Sequence, residues 1–336
     1  LKKKIFFILV PFLILILGIC AFVYLFNARY GKTINSGEEY FIIKSDLSFD
    51  KGVEQLAKRS IIRSEKAIDL YARFLKLKSN FKAGNYIIKG KSTIEDLLLK
   101  LQSGISDFKI ITIPEGYSLY KIGEILENYG IISKNELLNA SLSDINPTDL
   151  ILEQPDVIYD LEGYLFPDTY YIPIDADKNK IISIMYENFL RVFSEEYRER
   201  AKELGLTVNQ VITVASLIEK EAANDAERAK IAGVIYNRLK INMPLQIDAA
   251  VIYANTFGER SLNPITKAHL KADSKYNTYV YKDLPPGPIA SPGKPSIHAA
   301  LYPETHDYLY YVAGPDGHVF SKTYEEHLKN INKYLK

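Results

Sequence analysis

Tryptophan is absent from this 336-residue chain, cysteine occurs once and methionine twice. A single cysteine excludes any disulfide within the chain. Histidine is scarce as well. The five, His269, His298, His306, His318 and His327, include no pair at the close spacing of a zinc motif, so neither a metal nor a cofactor is expected. The eighteen glycines are dispersed and form neither a Walker-type nor a dinucleotide-type loop, which excludes the common phosphate-cradling sites. An excess of one charge sign is also missing. Forty-two Lys and Arg against forty-one Asp and Glu leave a formal net charge of +1, and that balance gives no argument for a nucleic acid or an acidic partner.

The chain does have one long apolar run. Lys2, Lys3 and Lys4 precede Ile5 to Phe26, which is of bilayer length; Pro11 and Gly18 are tolerable inside a spanning helix. The run is too long for a signal-peptide core, and no small-x-small cleavage pattern follows, so an uncleaved anchor is predicted. Three lysines before the span against Arg29 and Lys32 after it lean towards an N-terminus inside the cell. The expected organisation is a cytoplasmic stub at 1–4, a transmembrane helix at 5–26 and a tether at 27–39. The rest would lie outside the cytoplasmic membrane.

From Tyr40 the sequence repeats itself. Ser48-Phe-Asp-Lys51, Glu54-Gln-Leu56 and Ile61-Ile62 are matched seventy positions later by Ser118-Leu-Tyr-Lys121, Glu124-Ile-Leu126 and Ile131-Ile132. An apolar strand precedes each copy (Tyr40 to Ile43; Ile110 to Ile113), and helices begin again near Ser64 and Ser133. Between the copies, Tyr86 to Lys89 reads as a strand and Ile94 to Leu101 as a capped helix. Residues 40–140 are therefore expected to form small α+β modules. Asn146-Pro147 and Gln154-Pro155 mark 141–160 as a linker within the remaining segment, 141–336.

The most informative stretch is Thr207 to Asn224. Thr207 with Gln210 makes a capping-box start, and Val208, Val211, Ile212, Val214, Ala215, Leu217 and Ile218 form an apolar stripe at helical spacing. Glu219 and Glu221 end it on different sides of the helix. Glu221 continues the apolar face, where desolvation and the helix dipole both favour a proton held near neutral pH, as a general acid requires. Glu219 lies on a mixed face. A solvated pair of surface glutamates is the plain alternative from this helix alone.

Downstream, Lys178 to Leu204 is predicted helical, Asn224 with Glu227 reads as a further capping box, and Ala226 to Lys240 as an amphipathic helix. Leu245-Gln246-Ile247-Asp248 would place Gln246 and Asp248 on one face if extended. Tyr308 to Ala313 and Gly317 to Phe320 read as a hairpin, and Tyr324 to Tyr334 as a helix. A glycan-cleaving site would need a proton donor and a means of stabilising the sugar cation. Glu219 and Glu221 diverge too far to be a facing pair; Asp248 or Glu162 could supply a second carboxylate. A single-acid mechanism is open if the substrate brings its own nucleophile. Ser216 and Lys220 do not have the Ser-x-x-Lys spacing of a Ser–Lys hydrolase.

At these residues the sequence resembles the membrane-anchored endolytic murein transglycosylases of the MltG/YceG-like type. The matching pieces are Glu162-Gly-Tyr-Leu-Phe-Pro-Asp-Thr-Tyr170, Ala215-Ser-Leu-Ile-Glu-Lys-Glu-Ala222 and Ile235-Tyr-Asn-Arg-Leu239. They continue with Leu245-Gln-Ile-Asp248, Val251-Ile-Tyr253, Tyr276-Asn-Thr-Tyr279, Leu284-Pro-Pro-Gly-Pro-Ile289 and Ser291-Pro-Gly293. Their order covers roughly residues 110–334. The resemblance implies an α+β protein: an N-terminal transmembrane helix, LysM-like modules at 40–140, and a YceG-like catalytic domain at 141–336 with a lysozyme-like helical part. It implies cleavage of the MurNAc-GlcNAc bond inside peptidoglycan strands, leaving a 1,6-anhydro end and limiting nascent strand length. Glu221 matches the family's acid, with Ala222 in place of the Ser or Thr that often follows. Gln246, Asp248 and Asn277 are candidates for the cleft wall. Peptidoglycan strands, the membrane and wall-synthesis proteins are the expected partners. A hydrolytic muramidase, and a non-catalytic wall-binding or division scaffold, are the alternatives.

Overall fold

The structure, a computed structural model, describes residues 11, 14, 16–18, 21, 23–34, 36–145 and 156–335. Most of the expected span at 5–26 and half of the expected linker lie outside these. The described part of the span is helical, continuing as α1 (residues 23–30). Among the described residues no helix is long and apolar enough to cross a membrane. The chain divides into two compact units, Leu1–Lys109 and Ile110–Lys336.

The first unit holds the first copy of the repeat. Its order is β1 (Glu38–Ile43), α2 (Phe49–Lys58), α3 (Glu65–Phe74), β2 (Gly84–Lys89) and α4 (Ile94–Ser103). The strands pair antiparallel with Tyr40 opposite Ile87 and Phe41 opposite Tyr86. Ser48, Ser64 and Thr93 each cap a helix by accepting a backbone N–H in its first turn. Phe41, Leu56, Ile61, Phe81 and Leu98 close a core without solvent exposure. Each such side chain contributes roughly 1.5–3 kcal/mol by leaving water.

The second copy begins at β3 (Phe108–Thr112) and continues through α5 (Leu119–Asn128) and α6 (Lys134–Leu138). Ser118 caps α5 through Lys121 N–H as Ser48 caps α2 through Lys51 N–H. Its closing strand is β4 (Thr169–Pro173), which pairs with β3. Both copies thus have a strand–helix–helix–strand order, the second with a long insertion before its last strand. Leu119, Ile122, Leu126 and Ile132 are buried in the same core as the helices that follow. The expected boundary at 140–141 therefore falls inside the second unit.

That unit continues with α7 (Lys178–Val192), α8 (Glu195–Glu203), α9 (Val208–Glu221), α10 (Arg228–Lys240), α11 (Asp248–Thr256) and α12 (Lys294–Leu301). It ends in the hairpin β5 (Tyr310–Gly314) and β6 (Gly317–Ser321), with Val312 opposite Val319, and α13 (Tyr324–Tyr334). Helix α9 is the centre. Thr207 and Gln210 form the reciprocal capping box at its start, and every residue from Val211 to Ile218 is buried. It packs chiefly on α12 and α10, with α11 beside it.

Three local expectations are corrected. The helix expected across 178–204 is two, because Phe193 leaves helical geometry and α8 restarts after Ser194. Asn224 and Glu227 do not form a capping box. Asn224 accepts from Ala226 N–H over a short 3-10 turn, while the Glu227 carboxylate turns to Ala223 and His318. Leu245 to Asp248 is not a strand: Gln246 has φ +50° and Asp248 opens α11. The alternation that would put both polar side chains on one face does not apply there.

Candidate functional site

Helix α9 ends at Glu221, and Ala222 turns to extended geometry to stop it. The Glu221 carboxylate is partly buried, and its Oε2 accepts a 2.9 Å hydrogen bond from the Tyr311 phenol on β5. Burial pushes its pKa above the ordinary value; the Tyr311 hydrogen bond opposes this, and the nearby Asp248 charge adds to it. His318 and Arg238 pull weakly downwards. A carboxyl so placed keeps its proton to higher pH than a solvated glutamate, which suits a proton donor.

Glu219 is held quite differently. Its Oε2 accepts from Arg228 Nη1 at 3.2 Å, Gly293 N–H at 3.1 Å and Ser296 Oγ at 2.8 Å. Its side chain is 8% exposed and that of Arg228 11%. Glu219 therefore ties α9 to α10 and to the start of α12. Two glutamates two residues apart have been given opposite environments.

Asp248 opens α11 close enough to Glu221 to act on its charge. It accepts a 2.7 Å hydrogen bond from Tyr279, and burial together with that bond raises the Tyr279 phenol above its ordinary pKa. The Tyr276 to Tyr279 loop is fixed from beneath by Thr278, whose Oγ1 accepts from Ile247 N–H at 2.9 Å and whose carbonyl accepts from Gln246 N–H at 3.0 Å. The Gln246 side chain is exposed. Asn277 is fully buried. Its amide donates to the carbonyls of Leu270 and Ala272 and accepts from Tyr279 N–H, so its hydrogen bonds are internal to the loop. The structure thus brings Glu221 and Asp248 together and sets Asn277 behind the loop that carries Tyr279.

The tyrosine above Glu221 is positioned from α10. Arg238, 8% exposed, donates Nε to Leu309 O at 2.6 Å and Nη1 to Leu245 O at 2.7 Å. Asn237 donates to His306 O and Tyr308 O. One helix face therefore anchors both the approach to β5 and the approach to α11. On the other strand, His318 N–H and Nδ1 both meet the Glu227 carboxylate at 2.9 Å. The His318 ring stands edge-on to Tyr311, with centroids 5.1 Å apart. Sequence reasoning missed Tyr311, Glu227 and His318 as a group. The contact between residues 221 and 311 spans 90 positions, and no local pattern encodes it.

Glu162 is a buried carboxyl with a different task. It accepts from Leu119 N–H at 2.8 Å and from the Tyr253 phenol at 2.9 Å. Burial dominates and pushes its pKa up to about 8. It joins the first turn of α5, the motif at 162–170 and α11. Gly163 beside it has φ +83°, and a Cβ there would approach Pro288 to 2.6 Å, so this turn requires glycine. Ser216 is buried, with its hydroxyl on Thr213 O and Ile289 N–H, while Lys220 reaches Gly116 O. The two are engaged separately, which leaves no Ser–Lys dyad.

Comparison with known proteins gives one consistent result. The profile of the YceG-like family matches residues 41–333. A Bacillus subtilis protein named endolytic murein transglycosylase is 37% identical over 293 residues, covering 83% of this chain and 80% of that protein. A Streptococcus pneumoniae protein of the same name is 32% identical over 306 residues, covering 83% of this chain and 55% of the longer relative. The crystal structure of a YceG-like protein from Listeria monocytogenes superposes with a TM-score of 0.63 at 32% identity, over 88% of this chain and 99% of that one.

Proposed function

The chain belongs to the YceG-like family, and from that premise we propose that Glu221 is the acid of an endolytic cut in peptidoglycan glycan strands. The activity is that of an endolytic murein transglycosylase, as in the relatives so named. The observation that carries the assignment of the acid is the partly buried Glu221 carboxyl, its pKa raised, under the Tyr311 phenol and near Asp248.

Glu221 gives its proton to the bridging oxygen as the bond from that oxygen to C1 of the muramyl residue breaks. The carboxylate then takes the proton of the same residue's C6 hydroxyl as O6 bonds to C1. Atoms balance without water, and the product is a 1,6-anhydro end. In this reading Asp248, which accepts a hydrogen bond from Tyr279, stabilises positive charge developing at C1. The same closeness of two carboxylates favours a second reading, in which Asp248 helps water to attack and the products are reducing ends.

The N-terminal apolar run serves as a single membrane anchor with its lysine-flanked end inside, which sets both units on the outer side of the cytoplasmic membrane. There the strand–helix–helix–strand modules act as LysM-like holders of glycan, and the cut limits the length of strands still being made beside the wall-synthesis proteins.

The test is mass spectrometry of products from purified uncrosslinked strands incubated with the full chain in detergent micelles. Anhydro ends that fall by about 10²–10⁴ in Glu221→Gln support the assignment. Ends one water heavier overturn the lytic step in favour of hydrolysis. Unchanged cleavage by Glu221→Gln overturns the choice of acid, and no cleavage by the folded wild type would favour a wall-binding scaffold.

A further inference from the structure

Beside the acid site, the second unit contains a cavity of about 430 Å³ that the mechanism above does not use. Its walls carry three cations, Lys121, Lys220 and Arg260, against one carboxylate, Glu115. The cations are unequally engaged. Lys121 is paired with Glu124 at 2.8 Å, whereas Lys220 donates to the Gly116 carbonyl at 3.2 Å and forms no ion pair within 4 Å among the described residues. Arg260 is exposed and has no ion-pair partner among the described residues. Glu115 lies against Gly293 at the start of α12, where burial and the Glu219 charge push its pKa up and the Arg228 charge opposes them. The cavity therefore presents uncompensated positive charge to an incoming ligand.

The pocket is built. Ser118 Oγ donates to Gly258 O at 2.8 Å and docks the loop after α11 onto the cap of α5. Gly258 has φ +81°, and a Cβ there would come within 2.5 Å of Ser118 Cβ, so the loop can approach this closely only with glycine. Tyr253 on the floor is held by Glu162. The pocket is also connected to the acid site by two routes. Lys220 is the chain neighbour of Glu221. Helix α11 starts with Asp248 at the acid site and lines the cavity with Ala249, Ile252 and Tyr253.

Resting on the reading of Glu221 as the acid that cuts glycan strands, we infer that this cavity binds the peptide stem of a muramyl residue close to the cut, with Arg260 and Lys220 pairing its carboxylates. In a stem-bearing strand the lactyl carboxyl of each muramyl residue is held in the amide bond to its stem, so the sugars carry no charge and a cationic pocket next to the cut answers to nothing in them. The stems supply the carboxylates, spaced along the strand at each muramyl residue. Guanidinium and ammonium groups recognise carboxylates through charge-assisted hydrogen bonds. The enzyme would then distinguish strands that bear stems from strands that have lost them.

The experiment compares KM on stem-bearing strands with KM on strands stripped of stems and amidated at the lactyl carboxyl that stripping frees, both freed of any lipid carrier, so that stem carboxylates are the only anions. The full chain should show a KM about tenfold lower on stem-bearing strands. In Lys220→Gln/Arg260→Gln that ratio should fall towards one, while Arg260→Lys, which keeps the charge, should retain part of it. Equal KM values in the wild type, or an unchanged ratio in the double variant, overturn the inference. A second measurement separates this outcome from failure of the catalytic reading. By NMR titration, N-acetylmuramyl-L-alanyl-D-glutamate should bind the wild type and shift Lys220 and Arg260 side-chain signals, and its uncharged diamide should not. That contrast stands even if no strand is cut, and equal behaviour of the two probes overturns the inference even if strands are.

Discussion

The Tyr311 phenol donates a 2.9 Å hydrogen bond to the carboxylate of Glu221, ninety residues earlier in the chain. The bond favours the charged form of Glu221, whereas burial favours the neutral form, and burial prevails. The pKa of Glu221 is therefore set by burial together with groups on several other elements, Tyr311 and Asp248 foremost.

Tyr311→Phe should move the alkaline limb of the kcat profile to higher pH. The acid must be protonated to act, activity is lost as pH rises through its folded pKa, and removal of the Tyr311 bond raises that pKa further. The same change loosens the carboxyl, and kcat at its optimum should fall roughly tenfold. A limb that stays in place or moves down would show that Tyr311 does not tune the acid.

Asp248→Asn should do the reverse. Its negative charge helps raise the Glu221 pKa, so neutralising it should bring the alkaline limb down. Product analysis of this variant also separates the two mechanisms. Anhydro ends formed more slowly fit a stabilising Asp248, whereas a muramidase would lose its reducing-end products.

Glu219→Gln should cost stability. Arg228 and Glu219 are both largely buried, and without the Glu219 charge Arg228 keeps only its charged partner Asp225, which is itself exposed, so a loss of about 1–3 kcal/mol is expected. Thermal unfolding should show a lowered midpoint, and the alkaline limb of activity should stay where it was in the molecules that remain folded. A shifted limb would return Glu219 to the list of candidate acids.

Glu162→Gln should change how stability depends on pH. The folded carboxyl holds its proton to about pH 8, against an ordinary value of 4.5, so between these the folded state binds the extra proton. Stability from this group is present below 4.5 and is lost as pH rises through about 8, at up to about 1.4 kcal/mol per pH unit. The variant has no such proton to lose and should show a flatter denaturation profile across that window. An identical slope in both proteins would refute the raised pKa.

Much of this was legible in the chain, for identifiable reasons. The capping box at Thr207 and Gln210 and the stripe from Val211 to Ile218 depend on spacing within one helix, and helix α9 follows them closely. The serine caps of both repeat copies are equally local. The face argument separates Glu221 from Glu219 because helical geometry alone sends them apart. It could not foresee that Glu219 would also be buried, since Arg228 and Ser296 come from other elements. Asn277 shows the opposite limit. An amide in a polar loop reads as a substrate contact until the loop's own carbonyls are seen to take it up. Gln246 failed to pair with Asp248 across one face because its positive φ breaks the alternation.

The hairpin of β5 and β6 has a consequence for timing. It carries both Tyr311, on Glu221, and His318, on Glu227. Until the hairpin docks, the end of α9 is open to water, and Glu221 is an ordinary solvated glutamate, ionised at neutral pH. A chain folded in every part but the hairpin would hold the whole central helix and yet lack the proton that the buried Glu221 keeps. Docking of the hairpin thus acts as a safety catch on the end of α9.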